Sequence, residues 1–279
     1  MKHSLLSLFT AVVAFSSCGD YNSVLKSNDI DYRYEAAKQY FFQGKYEQSS
    51  TVLFEMLAAT KGTERAEEAL FLLGMSAFKG KDYESAASYF KKYYESYPSG
   101  RYVEEARLYA GRSLYANTPI PILDQTDTYK AITEFQSFVE TYPNSKYRDE
   151  ASQLVFDLQD KLIEKEYAAA KLYYDLGQYF GNCTKGGSNY QACIVTAQNA
   201  INDYPYSLRR EDFAILILRS KFDLAEQSVE EKQKERYHSA IDEYHGFCNE
   251  YPESKFMPQA KSLYEKAKKF DTTRVGVQK

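Results

Sequence analysis

A tyrosine precedes a Tyr-Pro pair four times at a nearly constant interval: Tyr83 to Tyr97, Tyr129 to Tyr142, Tyr190 to Tyr204 and Tyr237 to Tyr251 are 14, 13, 14 and 14 residues apart. Inside each interval alanines and aromatics recur at spacings of three and four. Tyr83, Ala86, Ala87, Phe90 and Tyr94 are one such set, and that spacing places them along one face of a helix. Pro98, Pro143, Pro205 and Pro252 then end the helix, because proline has no amide donor and disfavours helical geometry at the residue before it. A second helical run precedes each interval: AEEALFLLGMSAFKG, VEEARLYAGRSLYAN, KEYAAAKLYYDLGQYF and DFAILILRSKFDLAEQ. A further pair, YRYEAAKQYFFQG with GKYEQSSTVLFEML, aligns with these, so five units of helix, turn and helix span roughly residues 31 to 270.

The expected fold is therefore all-α. Small residues at Gly74, Ala77, Ala86, Gly111, Ala131, Ala169 and Ala240 let paired helices approach closely. The chain has no Trp but 27 Tyr and 17 Phe, whose flat rings fill the spaces between neighbouring hairpins. The pattern resembles the tetratricopeptide repeat, most specifically over LLGMSAFKGKDYESAASYFKKYYESYP, and implies a superhelix of about five helical hairpins. Three segments depart from it. NTPIPILDQTD reads as an ordered or semi-ordered loop rather than a helix, GNCTKGGSN as an insertion in the fourth unit, and EEKQKER as a solvated helix extension.

Residues 1–17 read as an export signal, with a positive start MKHS, an apolar stretch LLSLFTAVVAF and SS before Cys18. This resembles a bacterial lipoprotein signal, which implies cleavage before Cys18 and lipid on its sulfur and amine. Phe15 stands where that pattern prefers Leu, Val or Ile. The competing reading is a plain secretory leader with an incidental cysteine. By resemblance to sorting signals, Gly19 and the segment DYNSVLKSND favour the periplasmic face of the outer membrane. The expected division is a signal peptide over 1–17, a lipidated tether over 18–30, the repeat domain over 31–270 and a flexible tail over 271–279.

The chemistry for catalysis is thin. The formal charge is −4, with Lys and Glu interleaved rather than gathered into a basic face, which excludes nucleic acid as a partner. His238, His245 and Cys248 are the residues that come nearest to a metal set, but no fourth ligand or short ligand pair accompanies them, and no metal is expected. The pairs Glu67 and Glu68, and Glu104 and Glu105, are expected to face solvent near helix starts. The KGG at 185–187 lacks the order of a phosphate loop. No enzyme activity and no cofactor are expected. Cys183 and Cys193 flank the fourth insertion and either close a disulfide, worth about 2 to 3 kcal/mol, or leave Cys193 as a buried thiol. Cys248 is expected to be a buried free thiol.

The short tether, the five units, PNSKYRDEA and the long segment LVFDLQDKLIEKEYAAAKLYYDLGQY together resemble the BamD family of outer-membrane β-barrel assembly lipoproteins. Tyr142, Pro143, Asn144, Ser145, Tyr147 and Ala151 match one family stretch, and Glu166, Tyr167, Tyr173 and Tyr174 another. The insertion after Phe180 and the tail after Phe270 depart from it. The resemblance implies a noncatalytic scaffold that binds unfolded outer-membrane protein precursors and the central, BamA-like barrel assembly protein. For precursors, Tyr34, Tyr40, Phe41, Tyr46, Phe78 and Tyr83 form or support a surface, or else are core between helices. For the central protein, Arg209, Arg210 and Glu211 are the contacts, or else a solvated helix start. The alternatives are a general peptide-binding or envelope-organising repeat lipoprotein, and an adaptor for peptidoglycan or secretion proteins.

Overall fold

The computed structural model describes residues 21–63, 65–177, 179 and 188–275, with side chains of the last helix described to Phe270. The leader, Cys18 and Cys183 lie outside the described residues. Every regular element among those described is a helix. They are α1 (21–26), α2 (Ile30–Phe42), α3 (Tyr46–Thr60), α4 (Arg65–Lys79), α5 (Tyr83–Ser96) and α6 (Val103–Asn117). There follow α7 (Thr126–Thr141), α8 (Arg148–Leu176), α9 (Asn189–Asp203), α10 (Arg210–Glu226), α11 (Glu230–Glu250) and α12 (Met257–Val275). The five expected hairpins are α2–α3, α4–α5, α6–α7, α8–α9 and α10–α11. The chain divides into two compact units, one reaching to Pro119 and including Asp124–Leu158, the other holding Ile120–Leu123 and the chain from Gln159 onward.

In the first unit the α4–α5 and α6–α7 hairpins each close over an aromatic. Phe90 of α5 and Phe135 of α7 are wholly buried against Gly74 of α4 and Gly111 of α6. A Cβ added at either glycine would lie 2.7 Å from the facing ring, so the bare backbone is what admits the phenyl group. Burying each ring stabilises the fold by about 1.5 to 3 kcal/mol. Between the first and second hairpins, the buried hydroxyls of Ser49 and Ser76 satisfy each other at 2.9 Å. The loop between α6 and α7 is ordered: Gln125 is buried and its side-chain oxygen accepts the Thr128 hydroxyl at 2.7 Å.

The α2–α3 and α4–α5 turns share one hydrogen-bond design. Lys45 N–H donates to the Tyr40 carbonyl at 2.8 Å and Gly44 N–H to the Phe41 carbonyl at 3.0 Å. Asp82 N–H donates to Ala77 at 2.9 Å and Lys81 N–H to Phe78 at 3.1 Å. This is the Schellman pattern, which needs a left-handed residue after the helix. Gly44 fills it with φ 75°, and Lys81 fills it with φ 65°.

In the second unit, Ile163 and Ala170 of α8, Cys193, Ala197 and Ala200 of α9, and Phe213, Leu216 and Ile217 of α10 form one core. Ala260 and Ala267 of α12 are buried against α10 and α11, so a twelfth helix covers the face that the fifth hairpin leaves bare.

Two expectations change, at Ala169 and at the tail. The segment before the fourth unit and the first helix of that unit are one helix, α8, because nothing between Arg148 and Leu176 breaks it. Where α8 packs in the second unit, the small buried residue is Ala170, wholly buried, rather than Ala169. Within the stretch read as tether, Val24 is 2% exposed in the first core, with Tyr21 and Leu25 packed beside it. Helix α12 runs on to Val275, where the tail was expected to begin after Phe270.

Candidate functional site

The turns that follow Tyr97, Tyr142, Tyr204 and Tyr251 are built alike. Each tyrosine N–H donates back to a carbonyl four residues earlier, at 2.8 to 3.0 Å. Two residues after each proline comes Gly100, Ser145, Ser207 or Ser254, whose N–H closes the turn onto that tyrosine's carbonyl. The hydroxyls of Ser145, Ser207 and Ser254 accept the N–H two residues on, at 3.0, 3.0 and 2.9 Å.

A carboxylate from the first helix of the same hairpin completes three of these turns. Glu104 accepts the Ser145 hydroxyl and Glu211 the Ser254 hydroxyl. At the first turn glycine replaces serine, and Glu67 reaches the Arg101 N–H directly at 2.6 Å while also accepting the Tyr93 hydroxyl. A Cβ at residue 100 would stand 2.8 Å from that carboxylate, which is why the position is glycine. Glu67 and Glu104, expected in solvent, are thus staples between successive hairpins.

The fourth turn solves the same problem differently. Its helix α8 supplies Glu164, which binds Arg209 rather than the turn serine, and Arg209 stands where the others place Tyr102, Tyr147 or Phe256. Tyr102 stacks on Phe71 at 4.5 Å and 14°. Arg209 lies 4.6 Å over the Tyr167 ring, and its fork holds both oxygens of Glu164, with Nη2 to Oε2 at 2.8 Å. That hydrogen bond keeps the guanidinium pKa above its ordinary value. The three candidate partner contacts are all engaged within the second unit. Arg210 pairs with Glu250 at 2.8 Å and donates to the Ile201 carbonyl at 3.1 Å, and the pairing holds the Glu250 carboxyl below its usual range. Glu211 holds Ser254.

What the fourth turn leaves in the open is apolar. The two outward positions are Ser99 and Arg101, Asn144 and Lys146, and Glu253 and Lys255 in the other turns, all exposed. Here they are Tyr206 and Leu208, 96% and 98% exposed. A tyrosine and a leucine are held out close together here, and tyrosine is among the residues that most often anchor interfaces. Sequence reasoning passed over them, although aligning the four turns shows the change from polar to apolar.

The candidate precursor-binding residues separate into two groups. Tyr34 and Tyr40 are core, 1% and 8% exposed. Phe41, Tyr46, Phe78 and Tyr83 are half-buried at the hairpin turns, where Phe41 meets Tyr46 at 5.5 Å and Phe78 meets Tyr83 at 5.6 Å, edge to face. A groove of about 650 Å³ runs between α5, α6 and α7, lined by Ala87, Lys91, Leu114, Tyr129 and Glu134 among others. Burial raises the Glu134 pKa, against the lowering effect of the Tyr94 hydroxyl that donates to it at 3.3 Å and of the Arg107 charge.

Among the described residues no group of three His, Cys, Asp or Glu could hold a metal. His245 lies against the Tyr244 and Tyr264 rings at 5.3 and 5.4 Å. Cys248 is half-buried rather than buried, with its sulfur 3.6 Å from that of Met257. Cys193 is buried in the α8–α9–α10 core, and burial pushes its thiol pKa up. Its candidate partner Cys183 lies outside the described residues.

A family model described as outer membrane lipoprotein, YfiO, matches residues 27–185, more than half of the chain. An outer membrane protein assembly factor named BamD, from Aquifex aeolicus (strain VF5), is 28% identical over 232 residues, which is 82% of this chain and 72% of that protein. Among solved structures, the TPR2AB domain of yeast Sti1 in complex with pHSP90 is similar with a TM-score of 0.39 and 13% identity. That match covers 86% of this chain and 98% of the other.

Proposed function

The chain belongs to the YfiO family of outer membrane lipoproteins, and from that premise we propose that it is a noncatalytic scaffold of outer-membrane protein assembly. In this reading lipid on Cys18 holds it at the periplasmic face, the repeat domain over 31–270 does the binding, and the partners are barrel precursors and a BamA-like central protein. Precursors meet the half-buried turn aromatics Phe41, Tyr46, Phe78 and Tyr83, since Tyr34 and Tyr40 lie within the core.

The observation that carries the partner site is the exposed pair Tyr206 and Leu208. The site stays at the turn where Arg209, Arg210 and Glu211 suggested it, but the contacts move to Tyr206 and Leu208, the two side chains the turn leaves exposed. Each is held by a turn that does not depend on it. Tyr206→Ser with Leu208→Lys gives the turn the polar character of its sisters and leaves every hydrogen bond of the turn in place.

The test is capture on a tagged, lipid-bearing chain under gentle extraction. The parent is expected to recover a large barrel-assembly protein, and the double variant to recover about tenfold less of it at unchanged melting temperature. Abundant recovery of a different envelope complex, with no barrel-assembly protein, would instead favour the envelope-organising alternative. Equal recovery by the double variant would remove Tyr206 and Leu208 from the interface.

A further inference from the structure

The α2–α3 turn carries a residue out of keeping with its place. It matches the α4–α5 turn position for position, and where the latter has exposed Lys79 it has Phe42, 81% exposed. Phe42 stands edge to face with Phe41 at 5.9 Å, and Phe41 with Tyr46 at 5.5 Å, so one open ring rests on two that are partly covered.

The first described residues arrive at this same turn. The Tyr21 ring meets the Tyr40 ring at 5.8 Å, and the Lys45 ammonium lies 5.8 Å from the centre of that Tyr40 ring. Val24, buried in the first core, fixes the approach. Only Gly19 and Asp20 separate Tyr21 from Cys18. Three residue steps span at most about 11 Å, so a lipid on Cys18 enters the bilayer within that reach of Tyr21, whose ring shares Tyr40 with the Lys45 ammonium.

We infer that the α2–α3 turn is a membrane-contact site, with Phe42 seated at the boundary of headgroups and acyl chains and Lys45 extended toward the headgroups. An apolar ring beside a long cation is the pairing that such an interface accepts. The acyl chains fix where the protein is held, and the turn fixes which way its first hairpin faces. The inference rests on the anchor at Cys18.

The chain has no Trp, so Phe42→Trp makes a single fluorescent reporter at an exposed position. Lys79→Trp, one hairpin along, is its control. The full lipid-bearing chains are placed in phosphatidylethanolamine and phosphatidylglycerol vesicles with brominated acyl chains, and the mass of the N-terminal peptide is read on the same sample. Residue 42 is expected to shift to the blue and lose about half of its emission, while residue 79 keeps the emission of a hydrated indole. Unquenched, unshifted emission at residue 42 on an acylated chain would overturn the membrane contact and leave the anchor standing. A peptide without acyl mass would overturn the anchor, and the contact with it.

Discussion

The guanidinium of Arg209 lies 4.6 Å over the Tyr167 ring while gripping Glu164, so one side chain performs both the stacking and the stapling that an aromatic and a serine share in the sister turns. Arg209→Ala is expected to lower the stability of the second unit by about 1 to 2 kcal/mol, since both partners are partly exposed and water screens the ion pair. Lysine cannot form the planar fork, so Arg209→Lys should recover less than half of the loss. Urea unfolding monitored by circular dichroism measures both. A melt of Arg209→Ala identical to the parent would show the contact to be idle.

Lys81 is the one non-glycine residue among those described with positive φ, and it occupies the position that Gly44 fills one hairpin earlier. The left-handed region costs a residue with a Cβ about 1 to 2 kcal/mol, offset in part by the greater freedom that glycine has when unfolded. Lys81→Gly is therefore expected to raise stability by about 0.5 to 1 kcal/mol, and Gly44→Ala to lower it by about 1 kcal/mol. Nothing lies within 4 Å of a Cβ at residue 44, so the second change reads backbone strain alone. Midpoints of urea unfolding moving the opposite way would refute the shared turn design.

Glu134 titrates against the fold. Burial raises its carboxyl pKa in the folded chain, so between the ordinary carboxylate value and that raised value the folded state holds more protons than the unfolded one. The contribution is therefore greatest in acid and is lost as pH rises through the folded pKa. Glu134→Gln keeps an acceptor for Tyr94 and removes the buried charge. The variant should melt above the parent at pH 7, and the gain should vanish by about pH 4, below which the parent carboxyl is protonated in both states. A destabilised variant at pH 7 would mean that the attraction of Arg107 outweighs burial.

The hairpins were legible because two simple signals agree. Apolar residues at three and four fix which face is buried, and four prolines fix where the second helices stop. Phase is harder to read than period: Ala169 and Ala170 differ by about 100° around α8, and only packing decides between them. Arg209 and Arg210 read as surface because charges after a proline usually are. Their partners, Glu164 and Glu250, lie 45 and 40 residues away and cannot be paired from sequence. The docking of the tether rests on Val24 with Tyr21 and Leu25, too few residues to show a period. Helix α12 escaped for a related reason, since no Tyr-Pro follows it to announce a unit.

The α9–α10 turn keeps its internal duties at Tyr204, Ser207 and Arg209, and leaves the side chains of Tyr206 and Leu208 exposed. The α9–α10 turn can therefore change what it recognises without changing how well it folds. Tyr206 and Leu208 stand like letters set in a fixed frame: a lineage could rewrite them to follow a drifting partner, and an experimenter could graft another recognition pair there, with the four-turn design supplying the rigid backing.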